Sequence, residues 1–309
     1  MMNKLKTIGL IWVFAVVTVQ AQVPLPAKKQ TEKIAIINGT LHIGNGEVIE
    51  EALVYFENGI LIYAGPLDGN SLGKYVVAGV QRIEAKGHHI YPGIIALNTF
   101  LGLNEIDAVR ATRDYNEVGE FNPNVRALIA YNSESKITPT VRFNGVMLAE
   151  VAPVGGRIAG QSAVVQLDAW NWQDAELKAD AGIHLNWPVS YRNTGWWAEP
   201  GENQRQKWEE DVLELRTFFD EAKNYNKIAN PAPINLKYEA MKGVFDGSKK
   251  VFIHADDRIS ITSALDFAKS YGIAPIIVGG ADAWMVTAEL KQAGASVVIT
   301  RTQRLPSRV

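Results

Sequence analysis

The stretch GHHIYPGIIALNTF, residues 87–100, separates two different sequence patterns. It begins with two adjacent histidines in a turn-rich approach and continues as an apolar run from Ile94 to Leu97. A short apolar run bounded by glycine and proline is typical of a fully buried strand. The stretch therefore predicts the point at which the chain enters a larger domain.

Residues 33–90, which precede this strand, have a short β-like pattern. The predicted strand segments are Ile34–Ile37, Leu53–Phe56, Ile60–Ala64 and Gln81–Ala85. Asn58-Gly59, between VYFE and ILIYAG, is the strongest hairpin signal in the chain. His42 lies in the same region and is interpreted as a surface or packing residue. The pattern predicts a small β domain.

The C-terminal third alternates apolar strands with helices. The predicted strands are Val251–Ile253, Ala274–Val278 and Ser296–Ile299. The helices between them are predicted to end at Gly272 and Gly294, and Asp282 is predicted to cap the second helix. Apolar strands that alternate with helices are typical of a parallel sheet covered on both faces.

Residues 91–309 as a whole are predicted to form a (β/α) barrel of the α/β class. Three further strand candidates lie in the middle of the chain, at Gly145–Val151, Ala163–Leu167 and Gly182–Trp187. The total is about seven strands, one fewer than a closed eight-stranded barrel requires. The barrel is therefore expected to be incomplete. Either the sequence is a truncated form of a longer protein, or a neighbouring subunit completes the barrel.

Composition narrows the possible functions. The chain has 309 residues, 47% of them hydrophobic, and a net charge of −2, which gives no electrostatic basis for nucleic-acid binding. It has no cysteine, so any metal ion must be bound by histidine and carboxylate side chains.

The N-terminus has the pattern of a signal peptide, residues 1–21, followed by a polar linker, residues 22–32. Lys4 and Lys6 precede an apolar run from Ile8 to Val19, and a small-residue cleavage site ends at Ala21. The alternative is a single anchor helix, for which the apolar run is short. The mature protein is expected to be periplasmic or secreted and free of the membrane.

Two further features have a structural and a functional interpretation. The glycine-rich segment 153–160 precedes a strand and lacks the helix that a phosphate-binding loop requires, so a structural loop is predicted. Five tryptophans lie between residues 170 and 197, and they either line an aromatic cleft or fill space in the barrel domain. The packing interpretation is favoured. The tryptophans are Trp170, Trp172, Trp187, Trp196 and Trp197.

The 87–100 stretch resembles the first barrel strand of the metal-dependent amidohydrolase superfamily, of the imidazolonepropionase-like kind. In that family, a Pro-Gly-apolar-apolar-Asp-x-His-x-His segment delivers two histidines to a metal ion. Pro92 and Gly93 match the motif, whereas Ala96, Asn98 and Phe100 replace its aspartate and histidines. The hairpin-rich region resembles the small β-sandwich that precedes the barrel in many members.

The resemblance also implies a metal ligand in the segment VFIHADD, where His254 follows an apolar strand. A divalent cation such as zinc is the expected cofactor. Gly279 and Gly280 occupy the region where the family places another ligand histidine. Residues Glu150, Asp256 and Asp257 are possible substitute ligands.

The resemblance implies hydrolysis of amide or cyclic amide C–N bonds by metal-activated water, an activity that the altered motif places in doubt. The alternative is a non-catalytic, exported small-molecule-binding protein on the same scaffold. Its predicted ligand-binding residues are Asn98, Phe100 and His184, together with His254. No catalytic residue is assigned, no residue pattern selects one amide over another, and a homo-oligomer is possible with either function.

Overall fold

The computed structural model describes residues 26–190, 196, 198–300 and 303. The predicted signal peptide and most of the final segment 301–309 lie outside these residues. Within the described part of the chain, no helix is both long and apolar enough to cross a lipid bilayer.

The first sheet occupies the predicted small β domain. Its strands are β1 (Ile34–His42), β2 (Val48–Glu57), β3 (Ile60–Pro66), β4 (Gln81–Glu84) and β5 (His89–Ile90). Helix α1 (Gly69–Tyr75) lies between β3 and β4. The strand order is β3-β2-β1-β4, and β5 also pairs with β1. The described strands of this region form one sheet, so a sandwich of two facing sheets is not confirmed.

The hairpin predicted at Asn58-Gly59 is present between β2 and β3, which pair antiparallel. Asn58 and Gly59 have φ angles of 53° and 72°. Positive φ at both central residues is the requirement of a type I′ turn, whose twist matches that of the two strands. The dipeptide thus determines the local backbone.

Substituting Gly59→Ala is expected to lower the free energy of unfolding by about 1 kcal/mol, because an L-residue with a side chain disfavours positive φ. Space is not the reason, since a Cβ on Gly59 would have no neighbour within 4 Å. Gly73→Ala is the matched control, because Gly73 lies in α1, has similar open space and lacks positive φ. It should stabilise the chain by up to about 1 kcal/mol. Urea denaturation would measure both, and equal effects would contradict the turn argument.

The second sheet has seven strands in the order β12-β11-β10-β9-β8-β7-β6. Their bounds are β6 (Ile94–Thr99), β7 (Val146–Val151), β8 (Ile158–Gln166), β9 (Glu176–Asn186), β10 (Lys250–Ala255), β11 (Ile276–Gly279) and β12 (Ser296–Ile299). The predicted strand at residues 94–97 is thus the first strand of the larger sheet. The expectation of full burial is wrong, because β6 lies at the edge of the sheet and Ile94, Ile95 and Leu97 are 55%, 54% and 50% exposed. The seven predicted strand positions are confirmed, as is the α/β class.

Strand β8 runs antiparallel to β7 and β9, whereas the other neighbours pair parallel. A (β/α) barrel has parallel strands throughout, so β8 is a departure from the predicted arrangement. The cause is the connection between β7 and β8, which contains only residues 152–157. A parallel pair needs a crossover of a dozen residues or more, so a short connection produces an antiparallel pair.

The glycine-rich segment in this connection has the predicted structural role. Gly156 has a φ of 59°, and a Cβ there would lie 2.6 Å from the backbone oxygen of Gly119. A Cβ on Gly160 would lie 2.7 Å from the backbone oxygen of Val125. Glycine at both positions allows residues 104–136 to pack closely on the start of β8.

Among the described residues, six α-helices accompany the larger sheet: α2 (Ile137–Phe143), α3 (Trp172–Ala175), α4 (Gly201–Tyr225), α5 (Leu236–Phe245), α6 (Arg258–Ser270) and α7 (Thr287–Gln292). Gly272 and Gly294 have φ angles of 71° and 62° just after α6 and α7, as predicted. Asp282 lies at the predicted N-cap position, before the short 3-10 helix Ala283–Val286 that leads into α7, but its side chain makes no capping hydrogen bond there. Its carboxylate instead accepts from the backbone N–H of Arg258 at 3.0 Å, an otherwise unpaired donor at the start of α6.

The two faces of the larger sheet differ in chemistry. Ile183 and Leu185 of β9 are fully buried in a cluster with residues of α4 and α6, such as Phe219 and Phe267. Alternate residues of a strand point to opposite faces, so His184 lies on the face turned away from this cluster. The helix-facing side is the main apolar core, and the other side of β9 carries polar groups.

Candidate functional site

Three ionisable side chains meet on the larger sheet: Glu150 of β7, His184 of β9 and His254 of β10. These three strands run in the same direction, because the antiparallel β8 lies between β7 and β9. Glu150 and His254 are each the last but one residue of their strands. Active sites of barrel enzymes are built at the C-terminal ends of the strands, which makes this the candidate site.

The three side chains form a linear chain of hydrogen bonds. Glu150 Oε1 lies 2.9 Å from Nε2 of His184, and Nδ1 of His184 lies 3.0 Å from Nε2 of His254. The His184 ring is fully buried and stacks on Phe252, with 4.5 Å between ring centroids and 8° between planes. Both nitrogens of His184 are therefore used within the protein, and its ring is held in place.

Glu150 is a buried carboxylate with several partners. Its Oε2 accepts from the backbone N–H of Asn98 at 2.7 Å, while Oε1 faces His184. Burial by itself raises the pKa of Glu150, but the hydrogen bond and charge of His184, the Ser162 hydroxyl and the Asn98 N–H lower it overall. Glu150 is therefore ionised at neutral pH.

His254 is only partly exposed and lies at the outer end of the chain of hydrogen bonds. Burial, together with the neighbouring His184, lowers the pKa of His254 to about 3, although the charge of Glu150 acts in the opposite direction. The His254 ring is therefore neutral at physiological pH. A neutral imidazole has one nitrogen that donates and one that accepts.

When His184 and His254 each carry one proton, the ionised Glu150 determines where every hydrogen lies. His184 donates from Nε2 to the carboxylate, so its Nδ1 accepts. His254 then donates from Nε2 to His184, which leaves Nδ1 of His254 with a lone pair. The site thus presents an acceptor nitrogen rather than a proton donor.

The predicted site residues are only partly brought together. His184 and His254 are neighbours, and Asn98 joins them through its backbone contact with Glu150. The side-chain oxygen of Asn98 is buried and has no hydrogen-bond partner among the described residues. Phe100 stacks on Tyr115 at 5.0 Å, and none of its ring contacts in the described chain reaches the two histidines. Its predicted place beside the ligand is therefore not supported.

The sequence indicates Glu150 only as a substitute metal ligand and does not predict its hydrogen bond with His184. The available signal was a glutamate inside the apolar strand VMLAEV, residues 146–151. A charged residue in such a strand is almost never fully buried unless it is paired. The partner, His184, lies 34 residues further along the chain, a separation that strand pattern alone does not connect.

The described residues do not fit the catalytic zinc centre that the resemblance implies. Such a centre needs about three protein ligands and an open position for water. Nδ1 of His184 and Nε2 of His254 supply two nitrogens, and no group of three or more histidine or acidic side chains in the described chain could hold a metal ion. Asp257 instead caps α6 by accepting from Ser260 N–H, and it accepts from the Ser190 hydroxyl. Metal ligation by His254 stays a prediction.

The described tryptophans do not share one environment. Trp187 is 4% exposed and packs against Phe267 in the helix-facing core, whereas Trp196 is 98% exposed. Trp170 is exposed, and Trp172 packs partly against the second core cluster. Trp187 and Trp172 thus follow the packing interpretation, and Trp197 lies outside the described residues.

No protein-family model matches the chain, and a sequence search of curated proteins finds no match. Among solved structures, an amidohydrolase from Thermotoga maritima MSB8 superposes with a TM-score of 0.73 at 18% identity, over 90% of this chain and 72% of the other. Ochratoxinase from A. niger superposes with a TM-score of 0.39 at 12% identity, over 88% of this chain and 66% of the other. N-acyl-D-glutamate deacylase from Bordetella bronchiseptica superposes with a TM-score of 0.36 at 13% identity, over 87% of this chain and 58% of the other.

Of these three superpositions, only that on the Thermotoga maritima protein is close enough to inform the fold, and at 18% identity it informs nothing beyond the fold. It extends across both sheets, since it covers 90% of the chain. The three-dimensional structure thereby supports the fold that the resemblance implies. The chain has the fold of a solved amidohydrolase, as its Pro92-Gly93 strand predicted.

Proposed function

We propose that this chain is an amidohydrolase-superfamily protein that binds a small molecule through an amide or related N–H group, without metal-activated hydrolysis. The observation that carries the proposal is the Glu150–His184–His254 chain of hydrogen bonds. It lies where barrel enzymes place their reacting groups, and it uses the histidines for each other rather than for a three-ligand metal centre.

The chemistry of the exposed end of this chain favours a ligand that donates hydrogen bonds. Nδ1 of the neutral His254 is an acceptor, and the buried Asn98 side-chain oxygen is a second acceptor without a described partner. Leaving a buried acceptor unpaired costs about 1–3 kcal/mol. An amide N–H offers the matching donor, so binding of such a group recovers part of this cost.

The same chemistry disfavours His254 as a general base. Efficient proton transfer requires a base whose pKa lies near the working pH. A pKa of about 3 makes His254 a weak base at neutral pH, although its ring is fully available as a hydrogen-bond acceptor. Recognition is therefore better supported than proton abstraction.

The second candidate function is hydrolysis of amide C–N bonds. One observation favours it: a carboxylate behind a histidine, as in the Glu150–His184 pair, is the arrangement that commonly orients a metal-ligating histidine. The two candidates differ in whether His184 Nδ1 and His254 Nε2 face each other or share a cation.

Metal content and ligand binding distinguish the two functions. We expect the purified protein to contain no stoichiometric zinc and to hydrolyse no member of a panel of N-acyl amino acids and cyclic amides. At least one panel member should raise the melting temperature, because a ligand that binds the folded state stabilises it. The shift should be lost in His254→Gln, in which the acceptor Nδ1 is absent.

His88→Asn is the matched control, since His88 is exposed and outside the site. It should behave as the parent protein does. Stoichiometric zinc that disappears in His254→Gln, accompanied by hydrolysis, would establish the enzyme instead. A panel that neither binds nor reacts would contradict the proposed ligand class.

A further inference from the structure

A second pair of histidines lies on the surface of the first sheet, away from the candidate site. His42 is the last residue of β1 and His89 is the first residue of β5, and these strands pair in parallel. Nε2 of His42 lies 2.9 Å from Nδ1 of His89. His89 is exposed and His42 is partly exposed, so solvent reaches the pair.

Tyr91 holds this pair in position. Its ring stacks on His42, with 4.4 Å between ring centroids and 11° between planes. The Tyr91 ring also contacts His89, at 6.2 Å. The two histidines lie on paired strands, and the His42 ring stacks on Tyr91. These contacts keep the two facing nitrogens close together.

The separation of the two nitrogens matches one type of metal geometry. Two nitrogens bound to one ion at about 2.05 Å lie about 2.9 Å apart when they are at right angles, and about 3.3 Å apart in a tetrahedron. The observed 2.9 Å corresponds to the right-angle arrangement. Tetragonal coordination by nitrogen and oxygen is typical of Cu(II) and Ni(II).

We propose that His42 and His89 form a surface binding site for a tetragonal divalent transition-metal ion, with Cu(II) preferred over Ni(II) and Ni(II) over Zn(II). Copper forms the most stable complexes of the three with a given set of nitrogen ligands, while the 2.9 Å spacing disfavours tetrahedral zinc. Water completes the coordination, because the described chain places no third histidine or acidic side chain in the group.

Binding requires one change of tautomer. The pair now shares one hydrogen between Nε2 of His42 and Nδ1 of His89. That hydrogen moves to another ring nitrogen, and both facing lone pairs then bind the ion. The rings stay neutral, which is the form of imidazole that binds metal. The ion links β1 to β5, just before the chain enters β6.

The site is tested by titration of the metal-free protein with Cu(II) alone. Calorimetry measures the affinity and stoichiometry, and electron paramagnetic resonance identifies the ligands of the bound ion. We expect one equivalent bound with two equatorial nitrogens and a rise in melting temperature. His42→Ala and His89→Ala should each weaken binding by about tenfold or more, since even outer-shell partners of a metal contribute that much.

His88→Ala should leave the affinity unchanged, because its neighbour His89 supplies the bridging nitrogen. His254→Gln should also leave it unchanged, which separates this site from the histidines of the larger sheet and from the proposed function. Equal binding by the parent and both pair variants would overturn the proposal. So would tighter binding of Zn(II) than of Cu(II), or loss of binding only in His254→Gln.

Discussion

Lowering the pH from 6.5 to 4.5 is expected to destabilise the folded protein by about 2 kcal/mol through His254 alone, with a slope that approaches about 1.4 kcal/mol per pH unit towards the lower end. The reason is that the pKa of His254 is lowered to about 3 in the folded protein, from an ordinary value of 6.5. Burial is the main cause, because removal from water disfavours the charged form of the ring.

The sign follows from the number of protons bound in each state. Well above pH 6.5, His254 is neutral in both the folded and the unfolded chain, and its contribution to stability is complete. Between pH 6.5 and 3, the unfolded chain binds a proton that the folded protein excludes, so stability falls as the pH falls. Glu150, whose pKa is lowered, contributes its own loss only at lower pH, below the ordinary carboxyl range.

His254→Gln is expected to flatten this pH dependence. The glutamine side-chain nitrogen takes the place of Nε2 and donates to His184, but it does not titrate. Urea denaturation at pH 8.0, 6.5, 5.5 and 4.5 would measure the free energy of unfolding. The variant should be somewhat less stable at pH 8.0 and closer to the parent at pH 4.5. His88→Asn should retain the parent slope, and an unchanged slope in His254→Gln would contradict the assignment.

The sequence predicts the elements well where a local rule determines the backbone. Asn58-Gly59 requires positive φ at both positions and forms the expected hairpin. Gly272 and Gly294 end helices for the same local reason. The direction of β8 was not predictable from apolar content, because an apolar strand has the same pattern in either direction. Only the length of the connection at residues 152–157 carries that information.

The candidate site was predicted in part because His254 follows an apolar strand, and the ends of parallel strands meet at one edge. The pairing of His184 with both Glu150 and His254 depends on the order of strands in the sheet, which no single segment encodes. Phe100 occupies a motif position but stacks on Tyr115 instead. Strand β6 has a register shift between Ala96 and Thr99, where Asn98 has a φ of 52°. The regular alternation that would set the direction of the Phe100 side chain is therefore interrupted.

Removing the Glu150 carboxylate is expected to have the largest effect on stability of any substitution in the site. Glu150→Ala leaves the His184 Nε2–H and the Asn98 N–H without their acceptor in a buried place. Leaving a buried donor without an acceptor costs about 1–3 kcal/mol, and Glu150→Ala leaves two such donors. Glu150→Gln should lower the free energy of unfolding by about 1–3 kcal/mol. The glutamine amide keeps one acceptor oxygen, but its NH2 group cannot accept a hydrogen bond from the second donor.

A double substitution separates the energetic cost of the lost hydrogen-bond partner from the cost of the lost packing. Glu150→Leu with His184→Phe removes the donor and the acceptor of the Glu150–His184 hydrogen bond together, and the new ring retains the stack on Phe252. The Asn98 N–H and the His254 Nε2–H each lose a partner, but the same losses occur in the two single variants. The double variant should therefore be at least about 1 kcal/mol more stable than the sum of the single effects predicts. Glu134→Ala, at an exposed position, should change the unfolding free energy by no more than about 0.5 kcal/mol. Strict additivity in urea denaturation would show that Glu150 stabilises the fold independently of His184, and the chain of hydrogen bonds would then not be a single unit.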